Sequence, residues 1–344
     1  MRIATWNIEW MTALFDPDGV PLADAAPSAR QGVSRAAQLE AIGIVLTALD
    51  ADAVLIVEAP DDGRGGRTVA ALEAMAAAFS LRCRSGVIGF ANHTQQEIAL
   101  LHDPDVLAAR HDPQGTTDGR GAGAAAAPAF DDTFRIDLDI DAAPELVRFS
   151  KPPLELAVTP ARGVPFRMIG VHVKSKAPHG AEGPDAVTRR AIAARRKQLA
   201  QCIWLRRRVE AHLRAGEPLV LLGDLNDGPG LDEWEALFGR SGVEIVLGTD
   251  APAALQLHDP HIRRALAGRL PAQPATARFY LEDAARYLPA LLDYVMVSAD
   301  LRPRARRWRI WHPFDDPALY AVPELREALL TASDHFPVTL DLAP

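Results

Sequence analysis

Five segments of this chain that read as strands carry, at one end, side chains able to hold a cation or move a proton. Ile3-Ala4-Thr5-Trp6 runs into Asn7, Val54 to Val57 into Glu58, and Met168-Ile169-Gly170-Val171 into His172. Leu219 to Leu222 leads into Gly223-Asp224-Leu225-Asn226, and Ser333-Asp334-His335-Phe336-Pro337 opens the last segment. The oxygen-bearing side chains of Asn7 and Glu58 suit a hard cation such as magnesium, which prefers such ligands and keeps several waters. Asp224 can hold a cation or a nucleophilic water, and the Asn226 amide can donate to a phosphoryl oxygen without adding negative charge. At i and i+2 along a strand the two point the same way; the alternative is a turn in which both bond local backbone. His172 and His335 add imidazoles, with Asp293 in Leu292-Asp293-Tyr294 and Glu97 in Glu97-Ile98-Ala99-Leu100 as acids to pair with them. A carboxylate on an imidazole fixes its tautomer and stabilises its cation, the arrangement of an acid or a base.

These residues need a scaffold, and the hydrophobic periodicity outlines one. Strands are expected at 2–8, 53–58, 97–102, 154–159, 166–173, 218–222, 291–297 and 336–342, where short apolar runs rich in branched residues are bounded by turn formers. Helices are expected at 34–49, with Ser34 as N-cap and Leu39, Ile42, Leu46 and Leu49 on one face, and at 68–79, 184–215 and 323–330. The order is mixed α/β. Residues 113–130, containing Gly119-Arg120-Gly121-Ala122-Gly123 and an alanine tract, are expected to be a flexible insertion: no strand precedes the glycines, and phosphate-loop spacing is absent. His258-Asp259-Pro260-His261 is expected to be plain loop.

Composition narrows the class. The 344 residues, 48% hydrophobic and 24% charged, suffice for a large globular core. A net charge of -8 argues against binding a polyanion through overall charge, leaving only a locally basic cleft. Lys174 and Lys176, two of four lysines, and the run Arg189, Arg190, Arg195, Arg196, Lys197, Arg206, Arg207 and Arg208 supply local positive charge. Lys174, two residues past His172, is the best phosphate contact among them; the distal arginines are expected on a solvated face. Thr276 and Arg278 are weaker candidates. Cys83 and Cys202 lack the spacing of a disulfide framework or a thiolate zinc site. With neither a signal-peptide pattern at the start nor an apolar run long enough to span a bilayer, a cytoplasmic location is expected.

Taken together, Trp6-Asn7, Glu58, Gly170-Val-His172, Gly223-Asp-Leu-Asn226, Leu292-Asp-Tyr294 and Ser333-Asp-His335-Phe-Pro337 resemble the endonuclease/exonuclease/phosphatase family, the DNase I-like fold. The resemblance runs from Asn7 to Pro337 and implies a single domain over 1–344: a four-layer αββα sandwich, two mixed sheets face to face with helices outside. It implies a magnesium site at Glu58 and Asp334 with Asn7 adjacent, manganese or calcium being substitutes, and Asp224 and Asn226 beside the phosphoryl group. It makes His335 the base oriented by Asp293, and His172 a phosphoryl ligand or acid partnered by Glu97. Lys174, Lys176, Thr276 and Arg278 would contact phosphate. Val57-Glu58 and His172 place the chain nearer the branch of DNase I, sphingomyelinases, inositol-polyphosphate phosphatases and deadenylases than the abasic-site branch. The substrate implied is a phosphodiester, nucleic acid first; a phosphatase or phosphodiesterase for a small or lipid phosphate is the alternative, and an inactive binding module a distant third. With aromatics at 6%, no exposed apolar hairpin for membrane docking is expected, and nothing indicates a protein partner.

Overall fold

The computed structural model describes residues 1–62, 67–92, 96–115, 127–137, 145–176, 183–231, 239–268, 273–281 and 285–344. One sheet has six strands in the order β14 (Ala305–Ile310), β15 (Val338–Leu342), β1 (Arg2–Asn7), β2 (Ala53–Ala59), β4 (Glu97–His102) and β3 (Ser85–Ile88). The other has five: β13 (Asp293–Val297), β10 (Leu219–Asp224), β9 (Phe166–His172), β8 (Leu154–Pro160) and β5 (Leu107–His111). Two further pairs stand apart, β6 (Phe134–Ile136) with β7 (Glu145–Val147) and β11 (Ala277–Leu281) with β12 (Arg286–Ala290). The helices are α1 (Arg35–Leu49), α2 (Thr68–Ala78), α3 (Pro184–Arg214), α4 (Gly242–Leu247), α5 (Pro260–Leu266), α6 (Pro317–Tyr320) and α7 (Pro323–Ala332). None of the described helices is long and apolar enough to cross a membrane.

Strand alternation explains the layering. In β2, Leu55 and Val57 join an apolar cluster shared with the second sheet, whereas Val54 and Ile56 join one containing Leu39, Ile42 and Leu46 of α1 and Leu72 and Met75 of α2. In β10, Val220 and Leu222 face the shared cluster, and Leu219 and Leu221 pack with Leu199, Trp204 and Val209 of α3. Successive side chains point to opposite faces, so strands apolar at every position must be covered on both sides. The result is helix, sheet, sheet, helix. Gly170 lets the sheets approach, since a Cβ there would lie 2.4 Å from Leu55 Cδ1.

The expected elements form where their sequences place them, including α1 with the Ser34 Oγ accepting from Ala37 N at 3.2 Å. Several expectations fail for local reasons. Strands β3, β5 and β14 and the β11–β12 hairpin lie where no strand was expected, their alternation diluted by glycine or arginine. Asp259 is not loop: its carboxylate accepts from His261 N and Ile262 N as the N-cap of α5, and from Val295 N. Three of the arginines expected in solvent are buried. Arg208 pairs with Glu155, Arg206 donates to Leu255 O at 2.7 Å, and Arg195 lies 3.9 Å from Asp227. Of the expected insertion, 116–126 lies outside the described residues, while Phe130 at its far end is fully buried against Trp204.

Gly223 has φ 129° just before Asp224, and a Cβ there would stand 2.2 Å from the Val171 carbonyl oxygen. Gly223→Ala should therefore cost about 2 kcal/mol or more through backbone strain and overlap. A urea-unfolding midpoint equal to that of the parent chain would contradict this packing.

Candidate active site

Topology gathers the polar ends. Strands β1 and β2 run parallel and finish side by side, Asn7 opposite Val57, and β9 and β10 do the same in the other sheet, His172 opposite Asp224. Their antiparallel neighbours begin at that edge: β4 with Glu97 opposite Ala59, β13 with Asp293 opposite Asp224, and β15 just after Asp334 and His335. Two sheets stacked face to face thus deliver an amide, carboxylates and imidazoles from seven strands to one rim.

Across the gap between sheets, His335 Nδ1 lies 2.8 Å from Asp293 Oδ2, both groups buried. Burial alone would favour neutral imidazole, but the charge and hydrogen bond of Asp293, then the charges of Asp224 and Asp334, outweigh it and raise His335 well above its usual range. Asp224 is pushed up to about 7, first by burial and then by the Asp293 carboxylate. This arrangement favours the protonated form of His335. One ligand atom from each of Asp224, Asp293 and His335 lies within 4.8 Å of the others, a spacing that could also hold a cation. The 2.8 Å contact has the length of a charge-assisted hydrogen bond, which favours a proton there.

A second acidic group lies beside it. Glu58 sits at a bulge in the β2–β4 ladder with φ 62°, and its carboxylate accepts from Trp10 N at 3.2 Å and Gln96 Nε2 at 2.6 Å. Glu9, not anticipated from sequence, joins it: burial and then the Asp334 charge raise its carboxyl to about 7, with Glu58 adding to the effect and Arg30 opposing it. Asn7 bridges the groups, its Nδ2 donating to Asp224 Oδ2 at 3.1 Å and approaching Glu58 Oε1 at 3.5 Å. Its buried Oδ1 has no hydrogen-bond partner among the described residues. Crowded carboxylates next to an orphaned amide oxygen fit a divalent cation.

Supporting residues hold this geometry. Ser333 Oγ donates to Asn7 O at 2.7 Å and accepts from His335 N at 3.1 Å, and Trp6 Nε1 donates to His335 O at 3.0 Å. Thr276, expected at phosphate, is buried, and its hydroxyl accepts from Leu292 N and Asp293 N, both at 2.9 Å, which clamps Asp293. Arg278 donates its backbone N–H to Asp334 O, while its guanidinium stacks 3.6 Å from the Tyr287 ring centre.

The other expected contacts divide. Asn226 has φ 48°, so it turns back instead of alternating; its N–H donates to Asp224 Oδ1 at 2.7 Å and its amide to Val173 O at 3.0 Å and Asp224 Oδ2 at 3.2 Å. That is the turn alternative, and it still leaves Asn226 beside Asp224. Lys176 Nζ is 2.5 Å from the fully buried Asp227 carboxylate, which ties it to the scaffold. Lys174 is close enough for its charge to lower His172. His172 has its Nε2 3.8 Å from Asp224 Oδ2, but Glu97 is not bonded to its Nδ1; Lys151 Nζ is there, at 3.2 Å. Glu97 instead accepts from Asn92 N at 3.3 Å, and burial raises it to about 7. Lys151, Gln96 and Glu9 were missed in the sequence. The only trace of Lys151 was its rarity as one of four lysines, and of Glu9 its spacing two residues past Asn7.

Comparison with known proteins agrees with this architecture. No curated protein matches the chain in sequence. Among solved structures, the 3′ phosphatase NExo from Neisseria bound to product DNA hairpin is 15% identical over 100% of both chains, with a TM-score of 0.51. An endonuclease/exonuclease/phosphatase family protein from Bacteroides thetaiotaomicron is 13% identical over 99% of this chain and 93% of that one, with a TM-score of 0.52. A mannosyl-6-phosphatase from the same organism is 13% identical over 100% of both chains, at 0.50. At such identities the likeness shows the shared fold. The family profile described as Endonuclease/Exonuclease/phosphatase matches residues 4–335, nearly the whole chain, and the chain belongs to that family of phosphoester hydrolases.

Proposed function

We propose that this protein is a magnesium-dependent phosphodiesterase acting on nucleic acid. The observation that carries the reading is the buried Asp293–His335 pair, 2.8 Å apart, beside the acidic group of Glu58, Asp334 and Glu9. In this reading His335 takes the proton of the attacking water through Nε2, and Asp293 on Nδ1 holds the ring and stabilises the imidazolium. Glu58 and Asp334, with Asn7 adjacent, would hold the ion, and Glu9 sits close enough to share it. A divalent cation bound there neutralises charge on the phosphate and polarises its oxygen. His172 and Asn226 donate to the phosphoryl group, Asn226 after releasing one of its local bonds, and Lys174 adds positive charge. Asp224 orients Asn7 and Asn226 and stands ready to position the water.

Nucleic acid is favoured over a lipid or small phosphate by what flanks the dyad. The β11–β12 hairpin is laced to the site by Phe336 N to Thr276 O at 2.6 Å, and the Phe279 ring lies 5.5 Å from His335. Beyond it Tyr280 and Tyr287 are 53% and 50% exposed and meet edge to face, with Arg278 lying over Tyr287 and also 5.0 Å from Phe314. Exposed tyrosine rings backed by a guanidinium suit a stacked base next to a phosphate better than an acyl chain.

Three measurements test this. His335→Ala should lower kcat by at least ~10²-fold on bis(p-nitrophenyl) phosphate with far-UV dichroism unchanged; near-normal turnover would sink the assignment. Exhaustive chelation should abolish activity and magnesium restore it, while Glu58→Gln should raise the magnesium concentration needed for half-maximal rate. Full activity after chelation would exclude the metal. Replacing both Tyr280 and Tyr287 by Ala should raise KM for a single-stranded oligonucleotide by roughly 5- to 100-fold, the worth of one stacked base, and leave KM for a p-nitrophenyl methyl phosphate unchanged. Equal effects on both substrates would remove the argument for a base.

A further inference from the structure

Lys151 lies just ahead of β8 and places its ammonium between the two halves of the site. Its Nζ is 2.5 Å from Gln96 Oε1 and 3.2 Å from His172 Nδ1, and Gln96 Nε2 in turn donates to Glu58 Oε2 at 2.6 Å. An ammonium offers donors and no acceptor, so the His172 Nδ1 facing it must present a lone pair. A neutral imidazole carries one proton, which then sits on Nε2, the nitrogen that faces Asp224 Oδ2 at 3.8 Å. His335 is the inverse case: a carboxylate faces its Nδ1 and holds a proton there. Partners of opposite charge thus face the Nδ1 atoms of the two histidines.

We propose that Lys151 is a positioning residue that fixes His172 as a neutral Nε2–H donor, and that through Gln96 the same ammonium is tied to Glu58. His172 then binds a substrate oxygen and neither removes nor relays a proton. That the acceptor is a phosphoryl oxygen rests on the function proposed above; the tautomer does not.

The surroundings agree. His172 is held well below its usual range by burial first, then by the charges of Lys151, His335 and Lys174, which keeps the ring neutral. Lys151 is itself lowered by burial, opposed by Glu58, Asp224 and Glu97. Gln96 and Glu58, joined by the 2.6 Å bond, both hold left-handed backbones, φ 72° and 62°, conformations that cost energy in non-glycine residues and persist where neighbours enforce them. The Lys151–Gln96–Glu58 chain is such a constraint, and it links the phosphoryl-facing histidine to the acidic group opposite.

The test is long-range proton–nitrogen NMR on the full chain labelled with ¹⁵N-histidine, the His172 ring being identified by loss of its signals in His172→Gln. The parent protein should show His172 with its proton on Nε2. Lys151→Arg, which still offers only donors, should keep that form, and Lys151→Met should lose it to a mixture or to the Nδ1–H form. A His172 ring protonated on Nδ1 in the parent chain overturns the proposal without needing any variant to fold. An unchanged tautomer in folded Lys151→Met overturns it as well. In kinetics, Lys151→Met should reduce kcat about as much as His172→Gln, and combining them should add little; independent, multiplying losses would also count against it. The expected tautomers in a chain without phosphodiester turnover would support the assignment of Lys151 and overturn only the proposed function.

Discussion

The contact between Asp293 and His335 is the point on which the site depends, because it spans the two sheets. Asp293 begins β13 in one sheet, and His335 stands two residues after Ser333, just ahead of β15 in the other. Burying such a pair is expensive unless the remaining polar atoms are satisfied, and removing one partner leaves an uncompensated charge. Neighbours fix the backbone on either side, the Thr276 hydroxyl on the Asp293 N–H, the Ser333 hydroxyl on the His335 N–H and the Trp6 indole on the His335 carbonyl, while the buried Asp293 Oδ1 has no hydrogen-bond partner among the described residues. The apolar layer shared by the sheets, with Gly170 permitting their approach, sets the gap that the pair bridges.

Around this contact the charge is divided. Glu9, Glu58 and Asp334 crowd one side so closely that burial and mutual repulsion push Glu9 up to about 7. Lys151 and Lys174 lie on the other, beside His172. Asn7 reaches across, donating to Asp224 while its Oδ1 has no partner among the described residues. An acidic half suited to a cation, facing a half rich in donors, is the electrostatic complement of a phosphate with its ion, which is the reason for reading the two as one site.

Much of this was legible in the sequence because it is written in local patterns. Strands ending in polar residues announced the rim, the resemblance carried by those residues implied the layers, and the Ser34 cap and the face of α1 followed from helical spacing. What escaped has physical causes. Sequence shows a residue's chemistry and not its neighbour: Thr276 and Lys176, expected at phosphate, meet backbone N–H groups and the buried Asp227 in the fold. Glu97 was paired with His172 on type alone, yet Lys151, distant in sequence, fills that place. For Asn226 the sequence left a strand position and a local turn both open, and its left-handed backbone selects the turn. The arginines of α3 looked solvated because periodicity cannot show that Glu155 and the carbonyls of Val246 and Leu255 await them. Short edge strands and the β11–β12 hairpin left no apolar run to find.

In this site the proton and the cation are proposed to occupy different places: His335 bonded to Asp293, the ion with Glu58 and Asp334. Anomalous diffraction from crystals soaked in manganese tests it directly. The account predicts a peak within ligand distance, ~2 Å, of Glu58 and Asp334 oxygens, with His335 outside the coordination shell and still bonded to Asp293. An ion held solely by Asp224, Asp293 and His335 would make the histidine a ligand, and would contradict it.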